Sequence, residues 1–350
     1  MQRESNIILV IDVGNPSVDG MLTKKNVLNG ISHTLLPMYE LVKQCEELGI
    51  TCVTPDAILN RGFTDAGKEL LLISHLTSTR TNSLLSHGVK PFLLFCQESP
   101  MIATRFYVNL RKISRIFKYT MVFNGMKKRI HPQSTFIPMH FPVHYKPQSV
   151  GKVPFSEKKL LTLIAGNKQA SSWKIPLIKW FYGSNVKLIY PIRKRLIKDL
   201  TKVNAIDLYG MGWNLDQNEI VRAAWKGIVP AGDKYATLSK YRFTLCFENA
   251  IFPGYLTEKI FDAFISKCIP IYLGDPEITK NIPKDAFLNA REFKNTEELH
   301  QYLANMSEEE YEGYLTAAQN FLQSSLFNKF RHETFVETVV TLIQHHDYQS

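Results

Sequence analysis

The chain has few features that would mark a membrane, secreted or nucleic-acid-binding protein. Its 350 residues contain no unbroken apolar run long enough to span a bilayer, which takes about 18 or more residues, so no membrane helix is expected. Its five cysteines are odd in number and scattered, with Cys45, Cys52, Cys246 and Cys268 inside expected core elements. No disulfide framework follows, and a reducing, cytoplasmic compartment is expected. The first residues, "MQRESNIILVIDVGNP", show no long apolar stretch ahead of a small-residue cleavage site and read as a first strand, not a signal peptide. Gly14 and Gly20 make no G-x-G-x-x-G run, so a dinucleotide site there has no support. Zinc-ligand spacing, RRM-like aromatics and a helix-turn-helix pattern are also missing.

The formal net charge of +10 calls for an anionic partner or for plain solvated surface. Basic residues cluster at 111–129 and 193–202. Without a nucleic-acid motif, nucleic acid is not an expected partner. Solvated surface comes first, then a weak pull toward anionic lipid, with a diphosphate ligand as a third option. Peripheral contact with the inner membrane face stays open on this ground.

Length points to two domains. In the first half, Ile7–Val13, "ITCVTP", Leu70–Ile73 and Phe92–Cys96 read as strands. A helix over Leu35–Leu48 carries Leu41, Cys45 and Leu48 on one face and stops at Gly49. This alternation is Rossmann-like. "TSTRTNSLLSHG" reads as a polar separator. Glu98 follows the strand "PFLLFC", where a carboxylate at a sheet's carboxyl edge is placed to act as a base. It also precedes "PMIATRFYVNLRKI", a helix expected from Pro100, and acids commonly open helices, so the residues alone favour the plainer role. Residues 130–157 are rich in Pro and read as a linker. Within them His140 and His144 are spaced i, i+4, but Pro142 forbids a helical metal pair.

In the second half "LLTLIAG" is a strand, followed by the helix in "YPIRKRLIKDLTKV" and the strand "AIDLY". Ile192, Leu196, Ile197 and Leu200 share one helical arc, and Arg193 falls inside it. An inward guanidinium needs an anion, either an internal carboxylate or a ligand phosphate. Trp225–Lys240 reads as loop. Tyr241–Glu248, a Pro253-Gly254 turn, a helix opened by Thr257, and "IPIYL" form a βαβ unit with parallel strands. Ligands of such sheets sit at the carboxyl ends of the strands, where Asn249, Tyr255, Glu258 and Lys259 fall together. The helix start suits phosphate, with Lys259 adding a full charge. Asn295 with Glu298 and Ser307 with Glu310 have capping-box spacing. Leu326–Ile343 reads as one long terminal helix.

Taken together these motifs resemble the family 10 α1,3/4-fucosyltransferases. Phe247-Glu248-Asn249, a loop, then Tyr255-Leu256-Thr257-Glu258-Lys259 is similar to the family's "FEN" and "Y-[IVL]-T-E-K" hallmark. "KYRF", "IPIYLG", "IDLYG", "ESP" at 98–100 and "FKYTMVFN" add ordered matches over roughly residues 90–345.

The resemblance implies an α/β chain of GT-B fold, two Rossmann-like domains facing across a cleft. The expected division is 1–150 on the acceptor side, 151–325 holding the donor, and 326–350 a terminal helix packing back on the N-terminal domain. It implies inverting transfer of fucose from GDP-fucose to a hydroxyl of an acceptor oligosaccharide or glycoconjugate, α1,3 to a GlcNAc- or Glc-type residue, as in protein or lipopolysaccharide glycosylation. Glu98 takes the general-base position, Arg193 and Lys259 the donor-diphosphate positions, and Asn249, Tyr255 and Glu258 further donor contacts. No metal or cofactor is implied at the chemical step, in keeping with the absence of a D-x-D, though a divalent cation could stimulate. The resemblance fades before about residue 90, and without an anchor or stem ahead of the enzyme a Golgi animal form is not expected. A GT-B transferase using another GDP-sugar, or a non-catalytic nucleotide-sugar or glycan binder of the same fold, stands as the alternative.

Overall fold

The computed structural model describes residues 5–13, 36–60, 63, 67–77, 79–145, 151, 153–167, 187–230 and 232–347. The Gly14 and Gly20 region and part of the expected linker lie outside them. The chain forms two compact units, Met1–His144 with Lys329–Ser350, and Tyr145–Asn328.

The first unit is built on a six-stranded parallel sheet. In chain order the strands are β1 (Ile7–Asp12), β2 (Thr51–Val53), β3 (Glu69–His75), β4 (Lys90–Phe95), β5 (Tyr119–Val122) and β6 (Thr135–Pro138), arranged β2-β1-β3-β4-β5-β6. The β1 strand is buried at every position, β3 over its central residues and β4 over its last four, as unbroken runs such as "IILVI" require of a sheet covered on both faces. Strand order reverses between β1 and β3, so the crevice at their carboxyl ends is a topological switch point. The helix Leu36–Glu47 buries Met38, Leu41 and Cys45, and it ends at Gly49, whose φ of 74° only glycine adopts without cost. Leu48 is exposed, not on the buried face, because the chain has left the helix by then.

The C-terminal helix His332–Asp347 belongs to this unit and packs against Leu36–Glu47. Its Phe335 ring meets Phe95 and its His346 bonds Glu69 at 2.9 Å. The single terminal helix expected from 326 is instead two, Ser325–Asn328 and His332–Asp347. Between them the chain turns at Lys329 and Phe330, and Arg331 forms a β-bridge with Val143. Other expectations shift as well. "TSTRTNSLLSHG" contains a helix, Thr79–Ser86. The segment after Pro100 makes two short helices, Thr104–Val108 and Leu110–Ser114, broken at Asn109. The Pro-rich stretch contributes β6 as an edge strand, a position where proline's missing N–H is tolerated.

The second unit repeats the plan. Its strands β7 (Lys159–Ile164), β9 (Ile206–Tyr209), β10 (Trp225–Gly227), β11 (Tyr241–Phe247), β13 (Ile269–Leu273) and β14 (Leu288–Asn289) form a parallel sheet ordered β10-β9-β7-β11-β13-β14. A small antiparallel pair, β8 (Lys187–Leu188) with β12 (Ala250–Ile251), sits apart from it. Renumbered within the unit this is the 3-2-1-4-5-6 order of a Rossmann sheet, with its switch point between β7 and β11. The core gathers Leu161, Leu163, Leu208, Phe243, Leu245 and Ile271 from the strands with Ile197 and Leu200 from the helix Tyr190–Lys202. Ile192, expected on that arc, is nearly half exposed; the buried face runs through Arg193, Ile197 and Leu200 instead. Trp225–Lys240 is not all loop, since it supplies β10 and the helix Lys234–Leu238. Asn295 and Ser307 cap the helices Thr296–Asn305 and Glu308–Gln323, accepting from the N–H of Glu298 and Glu310. Among the described residues no helix is long and apolar enough to cross a membrane.

Candidate functional site

In the second unit the expected donor residues gather at the carboxyl ends of β7, β11 and β13. The helix Tyr190–Lys202 starts beside the switch point and turns Arg193 inward. Arg193 is 4% exposed, and its guanidinium donates to the carbonyl of Gly166 just past β7 at 3.3 Å and lies over the Tyr190 ring at 4.9 Å. Among the described residues no carboxylate lies within 4.0 Å of it. Burial pushes the Arg193 pKa down, partly offset by Tyr190. Of the two anions the sequence allowed, the internal carboxylate is not found among the described residues, where the buried cation meets one carbonyl and one ring face.

Tyr190 also donates to Asn249 Oδ1 at 3.3 Å, which ties the end of β11 to the same helix start. Arg193 and Asn249 thus bracket the switch point from its two sides. Tyr190 was not singled out from the sequence. Its signal is an aromatic one turn ahead of an inward arginine, beside Pro191 at the helix start.

Lys259 is engaged by side chains of its own protein. Its ammonium donates to Glu248 Oε2 at 2.9 Å and Thr257 Oγ1 at 2.7 Å, and it stands 3.6 Å from Glu258 Oε1. Glu248 is fully buried, and it also accepts from the Thr257 amide at 2.9 Å and from the Thr257 hydroxyl. Burial disfavours charge on Lys259, but Glu248 and Glu258 outweigh it and hold the ammonium well above its ordinary range. Burial likewise pushes Glu248 up, and Lys259 pulls it back. Thr257 does open the helix Glu258–Ile265, yet its side chain makes no capping bond and serves Glu248 instead. The helix entry is therefore organised around a carboxylate of its own protein, with Glu258 half-buried at its first position.

Tyr255 is buried, and its carbonyl accepts from Tyr272 Oη at 3.4 Å. Tyr272 Oη also accepts from the Asp275 amide at 2.8 Å. Gly274 lets these groups close up, because a Cβ there would stand 2.3 Å from Tyr272 Oη and 2.5 Å from Glu248 Cγ.

In the first unit Glu98 lies two residues past Cys96 on the loop leaving β4, half-buried. The helix expected to begin at Pro100 starts only at Thr104, so a charge at a helix start does not account for Glu98. Its backbone is pinned from both sides. Tyr107 Oη donates to the Glu98 carbonyl at 2.9 Å, Cys96 Sγ reaches the same oxygen at 3.5 Å, and the Gln97 amide donates to His75 Nε2 at 3.5 Å. Burial pushes His75 down to about 4, against the Val13 backbone and Asp12, so its imidazole is neutral and able to accept. Asp12, at the end of β1, is buried and paired with Arg80 at 3.0 Å. His75, Asp12 and Arg80 carry no motif, and only the strand order brings them to one edge.

The model of "Glycosyltransferase family 10 (fucosyltransferase) C-term" matches residues 173–348. The chain is 46% identical over 71 residues to alpha-(1,3)-fucosyltransferase FucT of Helicobacter pylori, covering 20% of this chain and 15% of that one. It is 30% identical over 142 residues to alpha-(1,3)-fucosyltransferase 7 of Rattus norvegicus, covering 40% and 35%. The matched segments thus span well under half of these relatives. A crystal structure of an alpha1,3-fucosyltransferase superposes with a TM-score of 0.54 at 18% identity over 98% of this chain and 92% of that one, which places the two Rossmann-like units in the GT-B class. With the family model matching just over half of its 350 residues, the chain belongs to glycosyltransferase family 10, the fucosyltransferases.

Proposed function

We propose that this protein transfers L-fucose from GDP-fucose to a hydroxyl of an acceptor glycan with inversion at the anomeric carbon. The observation that carries the reading is Arg193, a buried guanidinium at the switch point of the second unit with no carboxylate beside it among the described residues. A donor diphosphate is the anion it lacks. Asn249, Tyr255 and Glu258 complete the donor site, Glu258 taking a sugar hydroxyl. Lys259 keeps a site role, but its three donors are occupied or directed at Thr257, Glu248 and Glu258, so its main work is to hold the helix entry in shape.

Glu98 is the general base. The acceptor oxygen attacks the anomeric carbon, its proton passes to Glu98, and the bond from that carbon to the β-phosphate oxygen breaks with its electron pair staying on GDP. Arg193 meets the charge that develops on the leaving diphosphate. The products are the fucosylated acceptor and GDP. All five cysteines are free thiols, which supports a reducing, cytoplasmic setting.

Isothermal titration with GDP-fucose and GDP-mannose tests the donor assignment. Tighter binding of GDP-fucose is expected, and equal affinities would count against fucose as the transferred sugar.

A further inference from the structure

Two side chains flanking Glu98 stand out among the buried polar groups. Gln97 is 4% exposed and Ser99 is 0% exposed. Both the Oε1 and Nε2 of Gln97 and the Oγ of Ser99 are buried without a hydrogen-bond partner, so three of the seven such atoms among the described residues fall within three consecutive positions. A buried polar group left without a partner carries a desolvation cost. An apolar side chain of the same size would remove it. The neighbouring loop after β3 is constrained: Leu76, directly after His75, sits at φ 62° with its N–H on the Phe95 carbonyl at 2.9 Å, a conformation unfavourable for leucine.

The chemistry of the orphaned groups is specific. A carboxamide offers donors and an acceptor, a hydroxyl offers both, and neither carries charge. That set suits neutral hydroxyls, which both give and take a hydrogen bond, and not a phosphate. The groups lie at the carboxyl end of a parallel strand, the edge where ligands of such sheets bind. We propose that the Gln97 carboxamide, backed by the Ser99 hydroxyl, hydrogen-bonds a second hydroxyl of the acceptor glycan, distinct from the one that Glu98 deprotonates. This rests on the fucosyl-transfer reading, and it makes Gln97 a determinant of acceptor choice.

The test compares wild type with Gln97→Leu and Gln97→Met, using GDP-fucose and a methyl 4-galactosyl-N-acetylglucosaminide as probes. The expected result is an acceptor KM raised roughly 2- to 10-fold, since one neutral hydrogen bond contributes about 0.5–1.5 kcal/mol, with the KM for GDP-fucose unchanged and the unliganded Tm equal or higher. Acceptors deoxygenated at one hydroxyl should repeat the loss on wild type and add little to it on Gln97→Leu. An unchanged acceptor KM, or failure of both variants to fold, would overturn the assignment and make Gln97 structural. A wild-type enzyme that transfers no fucose to any acceptor would instead overturn the functional reading, and this assignment with it.

Discussion

Lys259 and Glu248 are hydrogen-bonded at 2.9 Å, and the carboxylate of the pair is fully buried. A lysine that the family pattern assigns to the donor diphosphate therefore has a structural duty first. Lys259→Met would leave the buried Glu248 carboxyl without its counter-charge, at a cost of about 3 kcal/mol, the low end for a broken buried pair because Lys259 is 22% exposed. Urea unfolding measures it, and Lys259→Met combined with Glu248→Gln should recover much of the loss. No loss in the single variant would show that the pair contributes nothing.

Arg193 should behave in the opposite way. Arg193→Met removes a buried cation held by one carbonyl and one ring, so stability should hold or rise. GDP affinity should fall by about 1.5–3 kcal/mol, the range for hydrogen bonds to charged groups, or roughly 10- to 150-fold. Calorimetric titration of GDP against both proteins reads this directly. Unaltered GDP binding would remove the diphosphate from the site.

Gly274 has no room for a methyl group. In Gly274→Ala the new Cβ meets Tyr272 Oη and Glu248 Cγ well inside van der Waals contact, and both neighbours are themselves buried. Overpacking of this kind costs about 1–3 kcal/mol. Because the displaced atoms belong to the Glu248 network, thermal stability and GDP affinity should fall together. A fall in stability with GDP affinity intact would separate Gly274 from the donor site.

The histidines give a pH dependence with a definite sign. Burial pushes His75 and His140 down to about 4, while the unfolded chain titrates near the ordinary value of about 6.5. Between those limits the unfolded state binds protons that the folded state refuses. Stability is therefore full above the upper limit and is lost as pH falls toward 4, by up to about 1.4 kcal/mol per pH unit for each histidine. Urea midpoints at neutral and mildly acidic pH should show the slope, and His140→Asn should flatten it. A slope unchanged in that variant would mean that His140 is protonated in the fold.

Much of this architecture was legible because its strands are short apolar runs separated by helical periodicity. The βαβ unit at Tyr241–Leu273 and the two caps at Asn295 and Ser307 are local, and the structure places them as the sequence suggests. Arg193 could be found inward from the helical wheel alone. The helices hidden at Thr79–Ser86 and Lys234–Leu238 were not legible, since both are short and polar enough to pass for loop. The partners of Lys259 were out of reach for another reason. Glu248 is eleven residues away, and only the return of the chain from β11 to the next helix brings the two together. The same holds for His75, which braces the Glu98 loop from 22 residues upstream.

The most direct test of the whole account is an acceptor screen with GDP-fucose, run on wild type and Glu98→Gln and read by product mass and linkage, with GDP affinity measured on both. Wild type should add one fucose to a glycan hydroxyl. Glu98→Gln should lose roughly 10²- to 10⁴-fold in rate, the usual contribution of a general base, while binding GDP as tightly as wild type. Transfer by Glu98→Gln at the wild-type rate, or no fucosylated product from wild type with any acceptor, would contradict it.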